Sequence, residues 1–272
     1  AVYAQIHQVL SSANIAYVKL DMNRSLSDIY TAVQGQQNQG EILHRYVLGW
    51  YAFLEQLKKD HPQLLIEGCS GGGGRFDAGM LYYAPQIWCS DNTDAIDRIR
   101  IQYGTSFGYP VSAVGSHVSA VPNEQTGRFT NIRTRGIVAM AGSFGYELDL
   151  NKVSEEDKAA VREQITLCKK YWTLTHEGLY YRLSNPMTQR EFAAWAFVAK
   201  DRGEALLNVV TLDNHCNNPA RCVILRGLDE EAMYEEEESG ALYNGAALMQ
   251  AGLPIPLMAG EYQGWQVHLR RK

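Results

Sequence analysis

Three short segments carry residue types that could do chemistry. In the first, Tyr17 to Arg24 (YVKLDMNR), a carboxylate has a cation two residues before it and an amide two residues after it. Side chains alternate with period two along a strand, so Lys19, Asp21 and Asn23 share a face as far as the strand persists. A cation within ~4–6 Å lowers a carboxylate pKa, which suits an ionised Asp21 acting as a nucleophile or as a stabiliser of positive charge. The same pattern also describes a plain strand-end salt bridge between Lys19 and Asp21. In the second segment, Glu67 to Asp77, four consecutive glycines follow an apolar run. Glycines let backbone approach a ligand closely and present amide N–H groups, which fits a polar small molecule; a tight structural turn is the simpler alternative. A phosphate loop is disfavoured because GxxxxGK[ST] is absent. Cys69 is either a site residue or an inert buried thiol. The third segment, Trp88 to Arg98, holds Asp91, Asp94 and Asp97 where a strand runs into a helix. All three acids suit a helix N-terminus, and Asp91 is itself a good N-cap. Nearest the strand end and close to Trp88, Asp91 is also the acid best placed to face a pocket.

Other reactive residue types are less suggestive. His117 has no second histidine at ligand spacing, so a hydrogen-bonded structural role is expected. No GxSxG elbow occurs, which argues against a serine hydrolase of the α/β type and leaves a carboxylate as the better nucleophile.

The elements that must position these residues follow a βα rhythm. Apolar runs at Ile15–Leu20, Leu64–Glu67, Gln86–Cys89, Val111–Gly115 and Gly142–Glu147 read as buried strands. Helical periodicity covers Glu41–Lys59, Thr93–Gly104, Thr130–Ala141 and Ser154–Tyr171. Parallel sheets with helical crossovers carry ligand loops at the carboxyl ends of their strands, where the three segments fall. Beyond Tyr171 the helical period stops. Short alternating runs at Leu179–Leu183, Glu191–Val198, Ala205–Val210, Cys222–Leu225, Ala232–Tyr234, Ala241–Tyr243 and Trp265–Leu269 predict antiparallel strands. The acidic run Glu235–Glu238 reads as a solvated loop or an edge strand. Two domains are therefore expected, an α/β part over 1–175 and a small antiparallel β domain over 176–272.

Composition narrows the partners. At 272 residues and 46% hydrophobic, the chain can bury one large core or two smaller ones. A net charge of −5 supplies no basic footprint for nucleic acid or an anionic membrane surface. No run of ~18 apolar residues is present, and the first residues have neither the basic nor the apolar region of a signal peptide. The five cysteines, Cys69, Cys89, Cys168, Cys216 and Cys222, include no CxxC pair, so neither a disulfide framework nor a metal site is signalled. A reducing cytoplasm and no cofactor fit this usage.

Taken together, the blocks YVKLDMNR, EGCSGGGGRFD, PQIWCSDNTDAIDR, IQYGTS and GSHVSAVPN resemble, in order and spacing, those of glycoside hydrolase family 36 α-galactosidases. The likeness extends more faintly through FGYELDLNKVSEED to GEYQGWQVHL, and so covers essentially the whole chain. The resemblance implies that Asp21 is the nucleophile at the end of the fourth strand of a (β/α)8 barrel and that Asp91, at the end of the sixth, is the acid/base. It implies that Lys19, Asn23, Cys69 and Gly72 contact the sugar. The implied fold is strands four to eight of the barrel followed by a small antiparallel β-sandwich, and the implied partner is an α-galactoside oligosaccharide of the melibiose or raffinose kind. A homo-oligomeric full-length parent is expected on the same ground. Related activities on the same framework are α-N-acetylgalactosaminidase, galactosyl transfer to sucrose, or sugar binding without turnover. Two positions depart from the pattern: Leu20 stands where the family usually has Trp, and Glu124 where His is commoner. A whole barrel takes roughly 250 residues, whereas only five βα units precede the β domain here, so the chain reads as part of a longer protein whose isolated form would have open sheet edges and little activity.

Overall fold

The computed structural model describes residues 1–32, 36–215 and 220–272. Cys216 therefore lies outside the described residues. Packing divides the chain into two compact units, Ala1–Asp91 and Asn92–Lys272.

In the first unit, α1 (Val2–Ser12) precedes β1 (Tyr17–Leu20), and a short 3-10 segment (Gln36–Glu41) leads into α2 (Ile42–Asp60). β2 (Leu65–Gly68), α3 (Ala78–Tyr83) and β3 (Gln86–Trp88) complete it. The three strands are parallel, with Lys19 opposite Glu67 and Gly68 opposite Ile87. Parallel neighbours need a crossover, and α2 and α3 supply them. The apolar residues that set the helical period explain the packing: Leu54 and Leu57 of α2 are fully buried with Ile66, Met80, Ile87 and Leu10 in one core. α3 escapes the periodicity argument because it spans only six residues. It starts where it does because the Asp77 side chain accepts a hydrogen bond from the Met80 amide at 2.8 Å, an N-cap three residues past the glycines.

The second unit begins with α4 (Ala95–Thr105), followed by β4 (Val114–Ser119), α5 (Ile132–Ala139), β5 (Ser143–Glu147) and α6 (Glu155–Glu177). Two elements depart from the sequence expectation by three residues or more. Pro110, with its fixed φ, opens a 3-10 turn over Val111–Ala113, so β4 starts three residues late and runs on to include His117. α6 continues six residues past Tyr171 to Glu177, and residue 175 lies within it. Its start matches the sequence: Ser154 caps the Asp157 amide, and Glu155, Glu156 and Asp157 sit where the helix dipole favours acids. β4 and β5 pair in parallel, with His117 opposite Gly145. The His117 ring packs so closely over Gly145 that a Cβ there would lie 2.7 Å from it, and Nδ1 is 3.5 Å from the Glu147 carboxylate.

The rest of this unit is antiparallel. β6 (Leu179–Arg182), β7 (Phe192–Val198), β8 (Glu204–Thr211), β10 (Met233–Glu236), β11 (Leu242–Asn244) and β13 (Gly264–Arg271) form a six-stranded sheet in the order β11-β10-β13-β8-β7-β6. A two-stranded ribbon pairs β9 (Cys222–Val223) with β12 (Leu253–Pro254), and α7 (Gly245–Gln250) lies between β11 and β12 in the chain. Every residue of β7 is buried, because alternate side chains enter two different cores. Ala193, Trp195 and Phe197 pack with Ile96, Ile137 and Leu174, while Phe192, Ala194 and Val198 pack with Val223, Leu248 and Leu253. The layer opposite the six-stranded sheet is thus the β9–β12 ribbon with α7.

The acidic run divides. Glu237 and Glu238 lie in an exposed turn, as expected, whereas Glu235 and Glu236 lie in β10, which has neighbours on both sides and is neither a loop nor an edge strand. Opposite charges accompany both parts: Lys272 pairs with Glu235, and Glu237 meets both Lys170 and His268. Hydrogen bonds from Lys170 and His268 bring the Glu237 pKa down to about 2. The other imidazole nitrogen of His268 faces Glu204 at 2.9 Å.

Candidate active site

β1 ends at Leu20, so the alternation that would aim Lys19, Asp21 and Asn23 together stops just before the aspartate. The loops beyond the strands then decide the geometry. The Asn23 amide donates to Asp21 Oδ2 at 3.0 Å, and its carbonyl oxygen accepts from the Gly71 amide at 3.0 Å. Ser70 Oγ donates to the Met22 carbonyl at 3.0 Å. Arg75 reaches back to the carbonyls of Leu20 and Cys69 at 3.2 and 2.7 Å, with its guanidinium 4.7 Å from the Trp50 ring centroid. The loop after β1 is therefore fastened to the loop after β2 by three side chains, Asn23, Ser70 and Arg75. With the Gly71 amide committed to Asn23, the glycine run acts as a close-packed joint in this unit.

Gly71 and Gly72 have φ of +52° and +78°, a region in which side chains are strained. Gly72 also presses on the loop after β3: a Cβ there would lie 2.8 Å from the Asp91 amide nitrogen and from Ser90 Cα. A Cβ on Gly73 would lie 2.6 Å from the Cys89 carbonyl oxygen. Gly72→Ala is accordingly expected to destabilise the protein by at least ~2 kcal/mol, from combined backbone strain and overpacking, and to displace Asp91. Denaturant unfolding checks the first part and a crystal structure of the variant the second.

Cys69 joins the two aspartates. Its sulfur lies 3.8 Å from Asp91 Oδ1, and the same thiol is hydrogen-bonded to Asp21. Burial, reinforced by the Asp21 bond, pushes the thiol pKa up to about 11, so Cys69 is a protonated donor at neutral pH. In return the thiol is the largest influence that lowers the Asp21 pKa. Burial opposes it as the second influence in size, and the Asn23 amide and the Met22 backbone add to the lowering. Lys19 contributes least. The ion pair of Lys19 is instead with Glu67, at 3.3 Å. The sequence-based expectation that Lys19 keeps Asp21 ionised is thus corrected in cause, though the direction is the same.

Asp91 also departs from its alternative reading as a cap. α4 starts at Ala95, and Asp94 is the N-cap, accepting from the amides of Ile96 and Asp97. Asp94 and Asp97 pair with Arg128 as well, so those two acids serve the helix and its ion pair. Asp91 is left exposed at the end of its own loop. A cleft of about 720 Å³ reaches Asp21 along α1, β1 and α2, lined by Val2, Ile6, Leu20, Trp50 and Phe53. Asp91 and the glycine loop do not line it, so the feature common to the two carboxyls is the Cys69 thiol.

Sequence reasoning gave Glu67, Tyr17 and Arg75 no role. The available signal was positional: Lys19 and Glu67 each stand third in a four-residue strand of a parallel pair. Among the described residues, no cluster of His, Cys, Asp and Glu could hold a metal ion, and no helix is long and apolar enough to cross a membrane.

Parallel strands with helical crossovers, two strand-end carboxyls about one thiol and a separate antiparallel sheet make this an α/β chain with a candidate acid pair. The sequence model described as Melibiase matches residues 1–178, and that of the glycosyl hydrolase family 36 C-terminal domain matches residues 192–269. The chain belongs to glycoside hydrolase family 36. It is 57% identical, over 97% of its length, to a bifunctional α-galactosidase/sucrose kinase, AgaSK, of Mediterraneibacter gnavus, of which it covers 27%. The solved galactosidase domain of AgaSK superposes on the whole chain with a TM-score of 0.95 at 56% identity, and the chain covers 36% of it. The α-galactosidase AgaA of Geobacillus stearothermophilus is 48% identical over 94% of this chain and 35% of its own. A variant of AgaA in complex with raffinose superposes with a TM-score of 0.97 at 44% identity, over 100% of this chain and 38% of that one. The chain spans about a third of the length of these relatives.

Proposed function

We propose that this chain carries the two catalytic carboxyls of a retaining α-galactosidase, and that its substrates are raffinose-type oligosaccharides. The observation that carries the reading is the placement of Asp21 and Asp91 about the Cys69 thiol. A second support comes from AgaA. The aspartates changed in its variants crystallised with stachyose and with raffinose stand 70 positions apart, the separation of Asp21 and Asp91 here.

In this mechanism Asp21, held ionised by its hydrogen bonds, attacks the anomeric carbon of the terminal galactose. The bond from that carbon to the glycosidic oxygen breaks as Asp91 passes its proton to the departing oxygen. The product is a galactosyl ester of Asp21, inverted once. Asp91, now a carboxylate, takes a proton from water, and the water oxygen displaces Asp21 from the anomeric carbon with a second inversion. Retaining glycosidases place their carboxyls about 5–5.5 Å apart for this exchange of roles. Cys69 and Asn23 orient Asp21, Gly72 brings the Asp91 loop close, and Lys19, Asn23, Cys69 and Gly72 form the part of the sugar shell that lies in this chain. The remaining shell, and strands one to three of a barrel of which these are four to eight, belong to the longer polypeptide. That polypeptide is placed in a reducing cytoplasm, as a homo-oligomer.

The test is the anomer released. Raffinose treated with the polypeptide that carries this segment, followed by proton NMR within the first minutes, is expected to give α-galactose before mutarotation; first appearance of β-galactose would sink the retaining mechanism, and absence of galactose the activity.

A further inference from the structure

Glu67 is a buried carboxylate to which the mechanism above gives no task. It is only 3% exposed. An acid so placed is costly unless its charge is matched, and the matching group here is Lys19, directly opposite on the neighbouring strand, with Nζ 3.3 Å from Oε1. The second oxygen is matched as well. Tyr17, two residues before Lys19 and so on the same face of β1, places its hydroxyl on Oε2. From the third strand, Trp88 sets its ring 4.9 Å from the Lys19 ammonium, within the range of a cation–π contact. The lysine side chain itself remains 38% exposed. One flexible cation is thus fixed from three strands while part of it still faces outward next to Asp21.

An ammonium has three donors, and Glu67 engages one side of it. A free lysine side chain carries rotamer entropy that a ligand would otherwise have to remove on binding. We propose that Glu67 is a positioning residue: with Tyr17 and Trp88 it holds the Lys19 ammonium at one point beside Asp21, so that the outward N–H donors meet sugar hydroxyls ready-aimed. This inference rests on the reading of the site as an α-galactoside site. Glu67 acts through Lys19 and touches no substrate. Its loss therefore weakens binding of the sugar in ground state and transition state alike, and the signature is a raised KM with kcat preserved.

The experiment uses the polypeptide that carries this segment, with raffinose as substrate and galactose as competitive inhibitor. Glu67→Gln keeps the shape and an acceptor for Tyr17 but removes the charge. It is expected to raise both KM and the galactose inhibition constant by about tenfold while kcat stays within about threefold. Lys19→Met should raise both constants at least as far, and Glu67→Gln added to Lys19→Met should bring no further loss, because a residue acting only through the lysine has nothing left to position. Tyr17→Phe removes one hydroxyl from an exposed side chain and should give a rise of roughly two- to threefold in the same direction, again absent in the Lys19→Met background. This variant supplies the measurement should Glu67→Gln not fold. Unchanged KM in the folded variants, a fall confined to kcat, or additive losses with Lys19→Met would overturn the proposal. Failure of the site reading looks different: Lys19→Met and Asp21→Ala would then leave raffinose turnover at its full value.

Discussion

Asp21→Ala in the polypeptide that carries this segment is expected to reduce raffinose turnover by at least about 10⁴-fold, the order lost when a member of a catalytic unit is removed. The reason is covalent. Without the carboxylate no ester forms at the anomeric carbon, and Asp91 alone can only protonate a leaving group that nothing displaces. Azide is small enough to occupy the vacated volume and is already anionic. Added to the variant with an activated α-galactoside, it should restore turnover and yield β-galactosyl azide, because a single displacement inverts the centre once. Mass spectrometry and NMR of the product give the readout, and an α-azide or no azide adduct would remove Asp21 from the nucleophile's role. The electrostatics fit that role. The Cys69 thiol, the Asn23 amide and the Met22 backbone all favour the ionised carboxylate and hold its pKa below the usual aspartate value, so Asp21 stays charged well below neutral pH.

Asp91→Ala should separate substrates by their leaving groups. A sugar alkoxide departs only with a proton, so raffinose turnover is expected to fall by about 10²- to 10⁴-fold, the usual share of general acid–base catalysis. A dinitrophenyl α-galactoside needs no proton for departure. Its first step should run at nearly the wild-type rate, visible as a burst of dinitrophenolate, with the galactosyl ester accumulating because no base then activates water. Equal losses on both substrates would show that Asp91 matters for folding or binding rather than for proton transfer.

How far these arrangements were legible in the sequence varied with the range of the interaction. The strands and helices around the site rest on local pattern: Leu54 and Leu57 recur at helical spacing in α2, and the apolar run before Glu67 is β2. Asp91 and Asp94 show the next level. Both are good caps by residue type, and only the actual start of α4 at Ala95 assigns the capping to Asp94. The ion pair of Lys19 required register between strands separated by the whole of α2, and the nearer Asp21 was the natural but incorrect partner. The bridging position of Cys69 required two loops to be placed at once, which no periodicity encodes. β10 misled for a related reason, since Glu235 and Glu236 look solvated until Lys272 and the neighbouring strands β11 and β13 are placed beside them. The six-residue α3 carries its signal in a single cap, Asp77, and is too short for a period to register.

The raised pKa of Cys69 has a consequence for the durability of the site. Oxidants and alkylating agents attack the thiolate, and a thiol with a pKa of about 11 exposes only ~1 part in 10⁴ of that form at neutral pH. Burial and the Asp21 bond, which keep the proton on sulfur, thereby also protect it, since any sulfenic or glutathionyl adduct would have to form in a buried position beside an anionic oxygen. Cys69 is chemically quiet because of its surroundings, and the chain can keep a cysteine between Asp21 and Asp91 without depending on a reductant to preserve it.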